Sequence, residues 1–165
     1  MQVSGRILFG CLTALTLIPR SAHPTELSVK KALNLELAKQ IAAASEKEAA
    51  SHQWHAFVVI VDDGGNVMYL ERMDEAQLGS FDVAIGKARS ALLFKRPTRM
   101  FEDAVHNGYM PVLKVPNAMP VEGGIPLMVD GKIIGAIGVS GGTPQQDGQI
   151  AQAGVDAFPS ILQNK

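Results

Sequence analysis

The sequence predicts one α/β domain of the α+β type, in which an antiparallel β-sheet of about five strands is flanked by α-helices. The prediction rests on two pairs of short apolar runs, each joined by turn residues, and on amphipathic segments before, between and after the pairs. The order helix, strand pair, helices, strand pair, helix is typical of an antiparallel sheet with helices packed against it. A length of 165 residues is sufficient for one domain with a full hydrophobic core.

The first 22 residues have the features of a secretory signal peptide. Arg6 precedes an apolar run at residues 7–18, and the small residues Ser21 and Ala22 follow it. The run is short for a permanent membrane span, which we therefore do not expect; the alternative is a buried N-terminal helix. We predict cleavage near Ala22, a single domain over residues 23–165, and a periplasmic or secreted location. The mature chain would contain no cysteine and so would need no disulfide.

A long helix and a β-hairpin are predicted for the first part of the domain. Ser28 can cap a helix that continues to about Ser51, because its apolar residues recur every three or four positions. Residues 56–61 (AFVVIV) form a β-branched run of strand length, and residues 62–66 (DDGGN) have strong turn chemistry. Residues 67–72 then form the returning strand of the hairpin.

The middle of the chain is predicted to contain two further helices and a loop. The second helix begins at Ser80 and ends before Pro97, and residues 98–106 could form a short third helix. Residues 109–120 contain three prolines and are predicted to be a loop. The buried face of the second helix is predicted to consist of Phe81, Ala84, Ile85, Ala88 and Leu92.

The second hairpin is rich in glycine. Strands at residues 125–129 and 132–139 are joined by Asp130 and Gly131, a favourable pair for a two-residue turn. The glycines of the second strand would let another group approach its backbone, and we expect the last helix to pack there. Residues 143–146 (TPQQ) match a capping box at the start of that helix, with proline at the first helical position.

Two of the four histidines are candidate haem ligands. His55 precedes the first strand and His106 ends the short third helix, and neutral imidazole commonly ligates haem iron. The alternative for each is a solvated surface histidine. No His-Glu-x-x-His motif or comparable spacing is present, so the identity of any metal stays unknown.

Basic side chains and glycines provide candidate contacts for an anion. A run of basic residues between positions 87 and 99 could bind a haem propionate or a small organic acid, or it could be a solvated helix face. Gly141 and Gly142 could expose backbone N–H groups at the start of the last helix. The formal net charge of −1 gives no electrostatic reason to expect nucleic-acid binding. The basic run consists of Lys87, Arg89, Lys95, Arg96 and Arg99.

Four segments resemble the GlcG/HbpS family. They are residues 84–89 (AIGKAR), 123–126 (GGIP), 135–142 (GAIGVSGG) and 146–154 (QDGQIAQAG). The same module is similar to the C-terminal domain of PduO-type proteins. The resemblance covers residues 28–158 and implies a compact α/β domain that assembles as a homo-oligomer, often an octamer.

The resemblance also implies functions and site residues. Some members of the family are extracellular haem-binding proteins, and some of these serve a redox-sensing system with a sensor kinase. Others are encoded near genes of glycolate or propanediol metabolism. The family links a threonine after the second helix to haem iron, which corresponds to Thr98, and a histidine near the start of the domain, for which His52 or His55 could serve.

We interpret the chain as an exported protein that binds a small molecule. The leading hypothesis is haem binding or haem and redox sensing, without catalytic turnover as its main task. The alternative is an enzyme or accessory protein for a small carboxylate or hydroxy acid, and a third class is a structural oligomer without a ligand. The candidate binding residues are His55, His106, Thr98, Lys87, Arg89, Gly141 and Gly142.

Overall fold

The structure of the protein is a computed structural model, which describes residues 26–163. The predicted signal peptide therefore lies outside the described residues. In chain order, the elements are α1 (Leu35–Ser51), β1 (Phe57–Asp62), β2 (Val67–Arg72), α2 (Ser80–Phe94), α3 (Arg99–His106), a 3-10 turn (Met110–Lys114), β3 (Gly124–Val129), β4 (Lys132–Ser140) and α4 (Pro144–Gln163).

The sheet is antiparallel and has the strand order β2-β1-β4-β3. The two predicted hairpins pair side by side through β1 and β4, with Phe57 opposite Ser140 and Asp62 opposite Gly135. Among the described residues the sheet has four strands, rather than the predicted five or so, because each hairpin contributes two. The predicted α+β class is confirmed.

Helices cover both faces of the sheet. The side chains of β1 alternate between the faces, as expected for a strand buried on both sides. Val58 and Ile60 lie in the core cluster that contains Ile41 of α1 and Ile150 of α4. The other face forms a second cluster, in which residues of β1 and β4 pack against α2; its fully buried members include Val59, Val61, Ala84, Ala88 and Ala136.

Gly138 allows α2 to lie directly on β4. A Cβ at this position would be 2.1 Å from the Ala84 carbonyl oxygen and 2.6 Å from the Ala88 nitrogen, both backbone atoms of α2. The glycine-rich strand was predicted to admit a closely packed helix, but at this glycine the helix is α2 and not the last helix. Ala84 and Ala88 also permit this close contact, because their side chains are small.

The start of α1 differs from the prediction. Asn34, and not Ser28, caps the helix, and its Oδ1 accepts a hydrogen bond of 2.9 Å from the Leu37 N–H group. The preceding residues, 26–33, form neither helix nor strand, and they contact the turns of both hairpins. There Lys30 pairs with Asp63, and Lys31 pairs with Asp130 at 2.6 Å. These contacts with the two hairpin turns prevent the segment from forming a helix.

Other predicted boundaries are close to those in the structure. The capping box at α4 is confirmed: the Thr143 N–H group donates to Gln146 Oε1 at 2.8 Å. Ser80 is the first residue of α2 and not its cap, since the N-cap is Gly79 without a side-chain hydrogen bond. Phe81 is 43% exposed and does not belong to the buried face of α2. The predicted loop at residues 109–120 includes the short 3-10 turn.

Candidate functional site

The predicted binding residues are distributed over several places. Lys87, Thr98, Gly141 and Gly142 lie near one another around the start of β3 and of α4. His55 lies in a groove beside α1 and β2. Both places are at the end of the sheet opposite the hairpin turns, because β1 begins and β4 ends there.

Lys87 is buried in an ion pair with Asp147. Its side chain is 1% exposed, and its Nζ donates to Asp147 Oδ2 at 2.7 Å and to the Val139 carbonyl at 3.0 Å. The Gly142 N–H group donates to the other carboxylate oxygen at 2.9 Å. Burial raises the pKa of the Asp147 carboxyl, while Lys87 and the backbone N–H groups of Gly142 and Gly141 oppose the shift.

This arrangement changes the interpretation of the predicted anion site. The ammonium of Lys87 and the N–H group of Gly142 already bind a carboxylate, that of Asp147. Lys87 is therefore not part of a solvated helix face. Its side chain instead connects three elements: α2, which contains it, β4, whose carbonyl it contacts, and α4, which supplies the carboxylate.

Thr98 joins the α2–α3 connection to β3. Its hydroxyl oxygen accepts a hydrogen bond from the Gly124 N–H group at 2.9 Å, and the Thr98 N–H group donates to the Gly124 carbonyl at 2.9 Å. The side chain is fully buried. Iron ligation by Thr98 would require this joint to open, and the assignment stays a prediction.

A cavity of about 400 Å³ lies outside this joint. Its walls are the start of α3, the residues that lead into β3, and the first turns of α4. The charged lining residues are Arg99 and Glu122, whose Nη1 and Oε1 atoms are 3.7 Å apart. The polar lining also includes three glutamines of α4: Gln145, Gln149 and Gln152.

A larger open groove, of about 880 Å³, contains His55. The imidazole is 46% exposed, and its Nε2 is 3.8 Å from Glu75 Oε2. Trp54 and Met73 supply apolar surface, and Lys47 and Arg72 supply positive charge. His52, the alternative to His55, caps the C-terminus of α1 and stacks on Trp54 at 4.4 Å between ring centroids.

The groove lining also includes the acidic residues Glu46, Glu71 and Asp74. The Tyr69 hydroxyl donates to Glu71 Oε2 at 2.5 Å, and this bond is the main reason that the pKa of Tyr69 is raised to about 12. Burial, together with the negative charge of Glu71, raises the pKa of the Glu46 carboxyl. The groove lining thus contains side chains of both charges.

Arg89 and His106 lie away from both places. The Arg89 Nε donates to the Gly65 carbonyl at 3.0 Å, in the turn between β1 and β2. His106 is the last residue of α3 and is exposed. Lys87 and Arg89 therefore do not converge on one ligand, although they are only two residues apart in the sequence.

Sequence reasoning did not identify Glu122 or the glutamines as site residues. A signal was present, because Gln145, Gln149 and Gln152 are spaced four and three residues apart and so share one helix face. Glu122 directly precedes the pair Gly123-Gly124, where the backbone leaves little room for other side chains. A carboxylate next to such a glycine pair is a sequence signal for a candidate site residue.

Between residues 26 and 163, no helix has the length and apolar character needed to cross a membrane. Over the same range, no three or more histidine, aspartate or glutamate side chains are grouped so that they could hold a metal ion.

Comparisons with known proteins agree with the resemblance found in the sequence. Protein GlcG of Escherichia coli K12 is 39% identical over 114 residues, which cover 69% of this chain and 85% of that protein. The crystal structure of Klebsiella pneumoniae protein ORFY has a TM-score of 0.76 and 34% identity, covering 84% of this chain and 99% of that one. The PduOC:heme complex has a TM-score of 0.71 and 33% identity, covering 77% and 95%.

A family model described as "Haem degrading protein HbpS-like" matches residues 33–156, which include every helix and strand except the last turns of α4. The match spans most of the chain and contains all four segments of the sequence resemblance. The chain therefore belongs to the HbpS-like family, which includes the GlcG proteins.

Proposed function

We propose that this protein binds haem in the groove that contains His55. The observation on which the proposal rests is the exposed imidazole in the lining of a groove of about 880 Å³, between apolar and cationic side chains. The proposal is supported by the similarity to a protein solved as a heme complex and by the description of the family as haem degrading.

The groove residues are chemically suited to haem. His55 would ligate the iron through a ring nitrogen, Trp54 and Met73 would contact the macrocycle, and Lys47 and Arg72 would pair with the two propionates. Arg72 is already oriented, since its Nη2 donates to the Ala76 carbonyl at 3.1 Å. Repulsion between the propionates and the acidic lining residues favours an orientation in which the propionates point towards Lys47 and Arg72.

The haem iron would supply the redox chemistry, and the protein would hold and orient the macrocycle. Glu75 lies 3.8 Å from the His55 ring and could fix the ring orientation by accepting an N–H hydrogen bond after a small movement. This role would leave the other ring nitrogen for the iron.

A hemin titration of the purified protein, followed by the Soret band, tests the proposal. We expect saturable binding that His55→Ala weakens by about tenfold or more, while His106→Ala, at an exposed histidine outside the groove, has no effect. Unchanged binding in His55→Ala would refute the groove site. A loss in Thr98→Val that Thr98→Ser, which keeps the hydroxyl, does not share would instead point to the α2–α3 joint.

The same titration separates binding from degradation. With ascorbate as reductant, a stable Soret band would indicate a binding protein, and a decaying band with released iron would indicate turnover. We infer that binding is the main task, as the sequence hypothesis states.

We also propose that the protein is exported to the periplasm or secreted. The proposal is supported by Arg6 and the apolar run that follows it. Mass spectrometry of the protein from the periplasm or medium of an exporting host should find an N-terminus near residue 23. Recovery of the full-length chain in the cytoplasm alone would refute it.

Self-association is a further proposal, supported by a group of exposed apolar residues on α3 and in the segment that follows. We expect light scattering to show a homo-oligomer, and Leu113→Glu to reduce its size. The exposed apolar residues are Met100, Tyr109, Met110, Leu113 and Val115.

A haem or redox sensor would also need a partner that recognises the haem-bound state. Binding of a sensor kinase in the presence and absence of hemin tests this role.

A further inference from the structure

The cavity between α3, β3 and α4 contains a carboxylate that lacks a hydrogen-bond donor among residues 26–163. The Glu122 side chain is 17% exposed, and its ion-pair partner Arg99 is 3.7 Å away, beyond hydrogen-bond distance. Burial raises the pKa of Glu122; the charge of Arg99, and more weakly that of Lys87, opposes this shift, whereas Glu102 and Asp103 add to it. A partly buried carboxylate without a donor from the protein would be stabilised by a donor from a bound molecule.

The backbone of α4 makes room for this carboxylate. A Cβ at Gly148 would lie 2.2 Å from Glu122 Oε1 and 2.6 Å from its carboxyl carbon. The carboxylate therefore rests directly against a helix at a position without a side chain. It is held at the cavity wall and not in bulk solvent.

The neighbouring amides add further acceptors. The Gln149 side-chain nitrogen donates to Glu48 at 2.7 Å, and the Gln152 nitrogen donates to Asp156 at 2.7 Å. One N–H group of each amide is engaged outside the cavity, and both glutamines can offer their amide oxygens to a ligand. Side-chain donors in the lining include the guanidinium of Arg99 and the amide of Gln145.

The charges favour a neutral ligand. Arg99 and Glu122 balance each other in the lining, whereas Glu102 and Asp103 stand close behind and would repel an anion. An ammonium group would be attracted by the carboxylates, but it has no acceptor and could not receive a hydrogen bond from Arg99. A ligand hydroxyl can donate a hydrogen bond to the Glu122 carboxylate and can accept one from Arg99, since each hydroxyl is both a donor and an acceptor.

We propose that this cavity binds a small neutral polyhydroxylated molecule, a polyol or monosaccharide. Two adjacent hydroxyls would donate to the Glu122 carboxylate, and Arg99 would donate to a hydroxyl oxygen. The volume of about 400 Å³ lies in the lower part of the range for small-molecule sites. The site is independent of the proposed haem groove, because the two share no lining residue.

Titration of the full protein with glycerol, D-ribose and D-glucose, followed by calorimetry and by the NMR shifts of the Gly123 and Gly124 amides, tests this proposal. We expect saturable binding of at least one of these probes and no comparable binding of glycolate or ethanolamine. Glu122→Gln should weaken binding about tenfold, because it replaces a charged acceptor by a neutral amide. Arg99→Ala, at an exposed position, should weaken binding without affecting the fold.

Matched controls are Glu36→Gln on the exposed side of α1 and Arg96→Ala at the end of α2, which should leave polyol binding unchanged. Hemin binding should be the same in Glu122→Gln as in the wild type, so failure of one site is distinguishable from failure of the other. Three results would overturn the proposal: no binding of any polyol, preferential binding of glycolate or ethanolamine, or equal polyol affinity in the wild type, Glu122→Gln and Arg99→Ala.

Discussion

The buried ion pair between Lys87 and Asp147 makes Lys87→Met a direct test of how the helices are joined to the sheet. The two side chains are 1% and 3% exposed, and the ammonium makes hydrogen bonds of 2.7 and 3.0 Å. Methionine keeps most of the apolar stem but removes the charge. Asp147 would then be a buried carboxylate with backbone N–H groups as its remaining donors.

The expected loss is about 4 kcal/mol in the free energy of unfolding. Removing one partner of a buried pair costs about 3–5 kcal/mol, because the other charge stays desolvated. Since a domain of this size has a total stability of about 5–15 kcal/mol, the loss is a large fraction of it. At about 2–4 °C per kcal/mol, the melting temperature should fall by roughly 8–16 °C.

Urea unfolding followed by far-UV circular dichroism measures this loss. The control Lys95→Met, at an exposed lysine, should change the free energy of unfolding by less than about 0.5 kcal/mol. The double variant Lys87→Met/Asp147→Asn should recover part of the loss, since the unpaired charge is removed. A loss below about 1 kcal/mol in Lys87→Met, or strictly additive losses in the double variant, would refute the reasoning.

Three further predictions concern stability. Gly138→Ala should cost about 3 kcal/mol, because its Cβ would meet the backbone of α2 at 2.1 Å. Asn34→Ala should cost about 1 kcal/mol by removing the cap of α1, and Asn34→Gly only a few tenths. Glu46→Gln should raise the free energy of unfolding by about 0.5 kcal/mol at pH 7, since ionisation of Glu46 is disfavoured in the folded state; the gain should vanish as the pH falls through the raised pKa.

Each of these is checked by urea unfolding of the variant beside the wild type. A Gly138→Ala protein of unchanged stability would show that α2 can move away from β4 at little cost. Equal losses in Asn34→Ala and Asn34→Gly would contradict the capping role. A gain in Glu46→Gln that persists at pH 4 would mean that the charge of Glu46 is not its cause.

The sequence was sufficient for features that depend on neighbouring residues. Both hairpins were predicted correctly because their turn residues, such as Asp130 and Gly131, lie between the strands that they join. The capping box at α4 was correct for the same reason. The start of α1 was wrong because Ser28 and Asn34 are both suitable caps, and the choice between them depends on contacts with turns far along the chain.

The site was harder to predict because its residues are paired across the chain. Lys87 lies 60 residues before Asp147, so the sequence could not show that its charge was already neutralised. Thr98 and Gly124 are 26 residues apart, and their reciprocal hydrogen bonds are equally invisible in the sequence. The exposure of His55 agrees with the alternative interpretation of a surface histidine, and its role as a haem ligand stays a prediction.

The position of the segment before α1, residues 26–33, determines how the protein can be attached to a surface. Lys30 and Lys31 attach it to the hairpin turns, at the end of the sheet opposite both the groove with His55 and the cavity with Glu122. A tag or surface linkage fused ahead of this segment would leave from the turn end. Protein immobilised in that way should present both ligand sites to solution, so that hemin and polyol binding can be measured side by side on one sensor surface.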